Sequence, residues 1–437
     1  MTDTGKDSKI DDAIKAAAVD GVDEVARNLF GLCDVIGPRF AGTDGDRLAA
    51  EMIQRTFERY GLTDVHREEF PFTAWRRGRG AQLRLLVPRE CVLPAYAMPY
   101  GAATVPDGIR ASWVDIGTGS PAEIAEKGEL LRGAFALTDG SSGQRKDIQR
   151  RCASAGAVGV LHGHNTDGML FKTGSVDDGR ESPICAVNIP AEVLALLRRI
   201  KEPGRLQLVV DCFCEPSTTC NVIGALHGTT YPDEVVVMGG HYDSHDISPG
   251  AFDNATGVTI MMEAARLLRP WRDQLKRTIR FVAFGAEEMG LLGSHHHVRA
   301  NVEAIRKVRF MLNCDTPCMG RPHGLGFHKC AAAEPLVQQL SADMGEELTF
   351  ANRKHNSSDH YPFMLQGVIT AGVAGKSGDS RGTGFYHMAG DTPDKLVLQE
   401  LSDTASFVAR VLLRVANDDN WPALQHDECC GDAGSTS

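Results

Sequence analysis

Residues 235–257, VVVMGGHYDSHDISPGAFDNATG, place charged groups directly after an apolar run. His241 and Asp243 end the run, and Asp253 lies twelve residues after the histidine. Polar groups at the mouth of a buried strand cost free energy unless a partner satisfies them. Because imidazole and carboxylate groups are common ligands of divalent metals, the segment predicts one wall of a metal site.

Acids and a second histidine follow other apolar runs of the chain in the same way. Glu287 and Glu288 follow TIRFVAFG, Asp315 ends VRFMLNCD, and His387 lies in a late Gly-rich loop. Two histidines with three or four carboxylates suit a pair of borderline divalent ions, with zinc as the first choice. Such a pair performs hydrolysis by activating water.

The residue types also suggest roles within this site. Two ions about 3.5–4 Å apart need an anion between them, and Asp253 is the best bridging candidate because its short loop returns toward His241. Asp243 is expected to accept the other N–H of the His241 ring. Glu287 and Glu288 are adjacent, so their side chains diverge. One can bind metal while the other acts as general base, and the residues alone do not decide which.

The elements that must position these residues alternate regularly after residue 215. Strands that are apolar along their whole length alternate with amphipathic helices, which indicates an α/β fold with a mostly parallel, mixed central sheet covered on both faces. Ligands of such sheets bind beyond the carboxyl ends of the strands. The carboxylates and histidines are therefore expected to meet at one edge of the sheet.

The chain of 437 residues is too long for one typical domain. Residues 90–214 contain short strands and Gly-rich turns without a cluster of metal ligands, which indicates an inserted β-rich domain. We expect N-terminal helices and first strands of the main domain at 1–89, the insertion at 90–214, the rest of the main domain at 215–420, and a disordered tail at 421–437.

The sequence motifs resemble those of the co-catalytic dizinc exopeptidases of clan MH, which include bacterial zinc aminopeptidases and plasma glutamate carboxypeptidase. The matching motifs are HYDS…GAFDNATG, AFGAEEMGLLGS, NCD, SSDHYPF and YHMAGDTPDKL. The resemblance covers roughly residues 20–70 and 215–415. RRCASAGAVGVLHGH, inside the insertion, is similar to the protease-associated domain of that family. The resemblance implies the zinc-exopeptidase fold, of the phosphorylase/hydrolase-like type.

The resemblance also implies a role for each site residue. One zinc ion would be held by His241 and Asp315, the other by Glu288 and His387, with Asp253 between them. Glu287 would be the general base, and Tyr386 would donate a hydrogen bond to the oxyanion. The implied cofactor is two Zn²⁺ per chain, for which Co²⁺ or Mn²⁺ could substitute.

The function that follows is a metal-dependent exopeptidase that hydrolyses N-terminal residues of peptides. The same metals would serve a carboxypeptidase or a small-molecule amide hydrolase, in which Arg353, Lys354 or Arg381 could pair with a substrate carboxylate. A third alternative is a non-catalytic metal-binding scaffold, although the complete ligand set argues against it.

Two other motifs are better explained without catalysis. His295, His296 and His297 are consecutive on a predicted helix and point in different directions, so we expect an exposed helix face rather than a chelating cluster. Ser358, Asp359 and His360 are neighbours and cannot form the ordered relay of a serine hydrolase. A structural role near the site is expected for them.

Composition excludes several classes of partner. A net charge of -11 provides no basic field for nucleic acid or anionic membranes. No stretch of roughly 18 apolar residues predicts a membrane span, and the first residues lack the apolar core of a secretory signal. The twelve cysteines are interpreted as reduced thiols, and a cytoplasmic location is expected. The sequence leaves open whether the protein forms a homo-oligomer.

Overall fold

The computed structural model describes residues 4–200 and 204–422. The predicted disordered tail lies, from residue 423 onward, outside the described residues. The α-helices are α1 (Thr4–Asp20), α2 (Val22–Phe30), α3 (Asp44–Arg59), α4 (Pro121–Glu126), α5 (Gly128–Leu131), α6 (Arg145–Ser154), α7 (Ala191–Arg199), α8 (Thr256–Leu268), α9 (Leu292–Ala300), α10 (Val302–Ile305), α11 (Ala333–Met344), α12 (His360–Met364) and α13 (Leu398–Asn417).

The strands form two sheets. They are β1 (Thr63–Val87), β2 (Cys91–Leu93), β3 (Tyr96–Ala97), β4 (Ile109–Ala111), β5 (Trp113–Asp115), β6 (Phe135–Thr138), β7 (Gly159–His162), β8 (Cys185–Asn188), β9 (Arg205–Leu226), β10 (Tyr231–His241), β11 (Arg277–Phe284), β12 (Val308–Asn313), β13 (Gly320–Phe327), β14 (Thr349–Asn352) and β15 (Thr370–Lys376).

The larger sheet has ten strands in the order β14-β13-β15-β12-β10-β11-β9-β1-β2, with β4 paired to β9. Strand β10 is parallel to β11 and β12, and β12 is parallel to β15. Strand β9 runs antiparallel to β11 and β1. The predicted α/β fold with a mixed central sheet is therefore confirmed.

Strand β10 explains why both faces of this sheet are covered. Alternate residues point to opposite faces of a strand. Val236 and Met238 join one buried cluster with residues of α8 and α13, whereas Val235 and Val237 join another that contains Val298 of α9. All four valine and methionine side chains are buried, as the uninterrupted apolar run requires.

The smaller sheet has the order β3-β8-β7-β6-β5, and its strands β5 to β8 are parallel to one another. With α4 to α7 it forms what we call the smaller lobe, residues 96–199. Strand β9 begins at Arg205 and pairs with β1 along most of its length, so it crosses the predicted boundary at 214. Its first residues belong to the larger sheet because Leu206, Leu208 and Val210 alternate into a buried core.

Local signals account for the helix ends that bring the N-terminal segment to the sheet. The Thr43 side chain accepts a hydrogen bond from the Asp46 backbone N–H and caps the start of α3. Gly61 follows the helix with φ of 74°, a left-handed conformation that favours glycine. Within residues 4–200 and 204–422, no helix has both the length and the apolar character needed to cross a membrane.

The three consecutive histidines differ from the expected exposed helix face. His297 is 2% exposed, and its Nδ1 donates to Glu68 Oε2 of β1 at 2.9 Å. The His296 ring stacks on Phe70, with centroids 5.0 Å apart. The expectation was wrong for His297 because this face of α9 packs on the sheet. The three side chains do diverge, so they do not chelate one ion.

Candidate metal centre

The predicted ligands, joined by His245, meet at the carboxyl edge of the parallel strands, in two clusters. His241, Asp253 and Asp315 form the first cluster, and His245, Glu288 and His387 form the second. Within each cluster the potential ligand atoms all lie within 4.8 Å of one another. Three strand ends supply the clusters: β10 ends at His241, β11 precedes Glu288, and β12 precedes Asp315.

Asp253 lies between the two clusters. Its Oδ1 is 3.2 Å from His241 Nε2, and its Oδ2 is 3.0 Å from His387 Nε2. The remaining carboxylates lie on the outer sides. Asp315 Oδ1 is 3.5 Å from His241 Nε2, and Glu288 Oε2 is 3.3 Å from His387 Nε2.

The buried polar atoms of this edge fit divalent cations. Asp253 Oδ2, Glu288 Oε1, His387 Nε2 and both ring nitrogens of His245 are buried without a hydrogen-bond partner. Unpaired buried polar atoms are rare in native proteins and cost about 1–3 kcal/mol each. Several at one point, all of them metal-ligand types, match what borderline cations require.

The loop that carries Asp253 is held from behind by Asp391. The two oxygens of the Asp391 carboxylate accept the backbone N–H groups of Phe252 at 2.7 Å and of Asp253 at 3.0 Å. Asp391 is 1% exposed. Burial and the nearby charge of Asp253 raise its pKa to about 7, against the two hydrogen bonds.

Asn254 joins three segments of the site. Its Nδ2 donates to the backbone oxygens of Cys314 at 2.8 Å and of His241 at 3.3 Å, and its Oδ1 accepts the Thr316 N–H at 3.2 Å. The amide thus ties the loop of Asp253 to the ends of β10 and β12. This explains why the residue after Asp253 carries both a donor and an acceptor.

The position of Asp243 refines the expected role of its side chain. His241 Nδ1 lies 3.1 Å from the backbone oxygen of Asp243, closer than the 3.5 Å to the carboxylate. The carboxylate instead accepts the backbone N–H groups of Glu287 and Glu288, at 3.0 and 3.2 Å. Asp243 therefore orients the turn that carries both glutamates.

Glu287 and Glu288 diverge as their adjacency requires. Glu288 enters the second cluster, whereas Glu287 Oε2 lies 4.0 Å from His241 Nε2 and outside both clusters. Burial and the charges of Asp315 and Glu288 raise the pKa of Glu287 well above its usual value, although His241 opposes them.

Tyr386 lines the open side of the second cluster. Its ring stacks on His387 with centroids 3.8 Å apart, and the residue is 37% exposed. Burial and the charges of Asp253 and Glu288 raise the pKa of the phenol well above its usual value. The hydroxyl therefore remains a hydrogen-bond donor over the whole neutral range.

The smaller lobe contacts the metal centre through residues 172–174 and the start of α6. His387 Nδ1 donates to the Thr173 backbone oxygen at 3.2 Å, and Thr173 N–H donates to the His387 oxygen at 3.0 Å. Arg145 Nη2 approaches the same Nδ1 at 3.4 Å, and Lys172 Nζ lies 5.6 Å from the centre of the Tyr386 ring. Two cations thus border the site.

The other predicted residues lie at or beyond the periphery of the site. Ser358 supports it, because its hydroxyl donates to Asp315 Oδ2 and accepts from Asn313 Nδ2 at 2.6 Å. Arg353, Lys354 and Arg381 are exposed in loops.

Three residues of the site were missed from the sequence. His245 carries a signal, since it lies four residues after His241 in HYDSH. Asp391, in AGDTPDK, gives little signal because its role is to bind a backbone far away in the chain. Arg145 gives none, because it belongs to a segment without other ligands.

The fold and the sheet edge lined by carboxylates and histidines define a metallohydrolase. Comparison with known proteins narrows the class of metallohydrolase further. Residues 221–412 match Peptidase family M28. The chain is 26% identical to mouse (Mus musculus) carboxypeptidase Q over 409 residues, which cover 89% of this chain and 84% of the relative. It is 27% identical to aminopeptidase YwaD of Bacillus subtilis over 400 residues, covering 90% and 84%.

A solved structure agrees with these comparisons. BSAP, a zinc aminopeptidase from Bacillus subtilis, superposes with a TM-score of 0.73 at 23% identity and covers 93% of this chain and 98% of that one. The similarity to the co-catalytic exopeptidases is confirmed, and the chain is an enzyme, a metallo-exopeptidase.

Proposed function

We propose that the protein hydrolyses terminal residues of peptides with two zinc ions bound at its metal centre. His241 and Asp315 would hold one ion, Glu288 and His387 the other, and Asp253 would lie between them. The observation that carries this proposal is that the two Asp253 oxygens face two different histidines, at 3.2 and 3.0 Å. Zinc at such donors lowers the pKa of a bound water and polarises a carbonyl group.

The residues of the chain would perform the proton transfers. Glu287 would take the proton from the attacking water and return it to the leaving amine, because its carboxylate lies 4.0 Å from His241 Nε2 and belongs to neither ligand cluster. Tyr386 would donate its O–H to the negative charge that develops on the carbonyl oxygen. Asp243 would hold Glu287 in place through the backbone N–H that it accepts.

Aminopeptidase action is the first candidate. A relative named as an aminopeptidase covers most of the chain, which agrees with this proposal.

Arg145 supports carboxypeptidase action as the second candidate. When His387 Nε2 faces a metal, its Nδ1 carries the proton and donates to Thr173. The Arg145 guanidinium, itself only a donor, then cannot hydrogen-bond to that nitrogen. No carboxylate of residues 4–200 and 204–422 lies within ion-pair distance of Arg145. A C-terminal carboxylate would supply the missing acceptor.

A pool of short peptides decides between the candidates. The zinc-loaded protein would be incubated with identical sequences that have free ends, acetylated N-termini or amidated C-termini, and the products would be read by mass spectrometry. Aminopeptidase action is blocked by acetylation and carboxypeptidase action by amidation. If two zinc ions are bound and no peptide is cut, an amide hydrolase or a scaffold replaces both proposals.

We also propose that the smaller lobe is a protease-associated domain, whose contacts with His387 would couple it to the active site. A cytoplasmic location is proposed as well. Cys33 and Cys152 are buried free thiols, which agrees with a reducing compartment.

A further inference from the structure

We propose that His245 is an additional ligand of the second metal position, beside Glu288 and His387. This inference rests on the proposed two-metal site. His245 follows the strand end by four residues and is 3% exposed. Its Nε2 lies 2.9 Å from Glu288 Oε2, and its ring meets the His387 ring edge-on, at an interplanar angle of 79° and a centroid distance of 4.5 Å.

The geometry of His245 is that of a ligand rather than of a hydrogen-bond donor. Its Nε2 is close to Glu288, yet neither ring nitrogen has a hydrogen-bond partner, so the approach lacks hydrogen-bond alignment. The same is true of His387 Nε2 and Asp253 Oδ2, which are 3.0 Å apart. A cation bound between a nitrogen and an oxygen atom brings the two atoms this close without the alignment of a hydrogen bond.

The spacing of the atoms agrees with one ion. A tetrahedral ion with ligands at about 2.0–2.1 Å places those ligands about 3.3 Å from one another. Glu288 Oε2 is 2.9 Å from His245 Nε2 and 3.3 Å from His387 Nε2. Glu288 Oε2 therefore lies, from the Nε2 atoms of both histidines, at about the distance expected between two ligands of one ion.

A histidine that only oriented Glu288 would hydrogen-bond to it through Nε2. His245 Nε2 instead lies 2.9 Å from Glu288 Oε2 without a hydrogen bond, and an unpaired buried polar atom costs about 1–3 kcal/mol. Metal binding satisfies this nitrogen. The Phe40 ring packs near the imidazole, with 6.4 Å between the ring centroids.

The extra imidazole makes the two positions chemically different. The first position has one imidazole with the carboxylates of Asp253 and Asp315. The second has two imidazoles with Glu288 and the shared Asp253. Imidazole favours zinc, cobalt and nickel over magnesium and manganese. The second position therefore binds borderline metals more tightly and fills first.

The test is a Co²⁺ titration of the metal-free protein, followed by visible absorption and by elemental analysis of bound metal. The wild type is expected to bind two Co²⁺, the first at least tenfold more tightly than the second. His245→Ala should weaken the tight step tenfold or more and change its absorption spectrum. His323→Ala is the control, since His323 is equally buried but stacks on Phe407 away from the site.

A second variant separates ligation from positioning. His245→Gln keeps a side-chain donor for Glu288 but is a poor ligand, so it should behave like His245→Ala. If His245→Gln restores the wild-type spectrum and affinity, or if His245→Ala leaves both unchanged while two ions bind, the inference is overturned. If the wild type itself binds fewer than two Co²⁺, the proposed two-metal site fails first. Circular dichroism melting would check that each variant folds.

Discussion

The Asp243 carboxylate accepts the backbone N–H of Glu287 at 3.0 Å. Its second oxygen accepts the next N–H of the chain, and the residue is fully buried. The carboxylate nearest to His241 in sequence therefore acts on the turn after β11. The contact connects the end of β10 to Glu287, which follows the neighbouring strand β11.

Replacing Asp243 should disturb catalysis more than folding. Asp243→Asn keeps the shape of the side chain but leaves one oxygen to accept two backbone N–H groups. The NH₂ group of the amide would then face the second N–H, donor against donor. Loss of such a support commonly costs 10–100-fold in metal affinity or activity. We expect kcat to fall about that much in a peptide-cleavage assay. Asp246→Asn, in the same loop but paired with Arg77, is the control. Equal rates for the two variants would contradict the assignment.

Glu287→Gln should abolish most turnover without removing metal. The side chain keeps its size, and Glu287 lies outside both ligand clusters, so elemental analysis should still find two ions per chain. Loss of a general base costs about 10²–10⁴-fold in rate. Glu303→Gln, at an exposed position, controls for the substitution itself. A wild-type rate for Glu287→Gln would exclude this residue as the base, and loss of one metal would make it a ligand.

Arg145→Met tests whether the smaller lobe recognises a substrate carboxylate. If it does, KM for peptides with a free C-terminus should rise about 10–100-fold, because a hydrogen bond to a charged group contributes about 1.5–3 kcal/mol. KM for the amidated peptides should not change. Arg151→Met, exposed on the same helix, is the matched control. An equal rise with both kinds of peptide would indicate that Arg145 only supports His387.

The alternation of strands and helices and the first ligands were predictable because both follow from local patterns. Apolar runs such as residues 235–240 mark buried strands, and the residues that follow them must share one edge of a parallel sheet. The division of labour between Glu287 and Glu288 needed the family resemblance. Arg145 and Asp391 could not be predicted, because each acts on residues more than a hundred positions away, at a place that only tertiary packing sets.

The dependence on tertiary packing also explains why the burial of His297 was not predicted. Its helix shows no strong apolar face, so the sequence favoured exposure. In the fold, His297 and two asparagines, Asn221 and Asn301, donate to Glu68, a residue of a distant strand. A polar cluster of this kind is buried because its members satisfy one another. The periodicity of apolar residues therefore does not predict such a cluster.

This Glu68 cluster predicts an acid-sensitive contribution to stability. Burial raises the pKa of Glu68, but the hydrogen bonds from His297, Asn221 and Asn301 outweigh it and lower the pKa from 4.5 to about 2. The folded protein therefore binds fewer protons than the unfolded chain between these values. The stabilisation is complete above pH 4.5 and is lost as the pH falls toward 2.

Urea unfolding of the metal-free protein would measure this contribution. Glu68→Gln should lower the free energy of unfolding by up to about 3 kcal/mol at pH 7, the equivalent of the pKa shift. The difference from wild type should shrink steadily below pH 4.5 and nearly vanish near pH 2. Glu303→Gln should show no such trend, because its ion pair with Arg306 is exposed. A difference for Glu68→Gln that stayed constant down to pH 2.5 would mean that the side chain stabilises the fold by packing, independently of its charge.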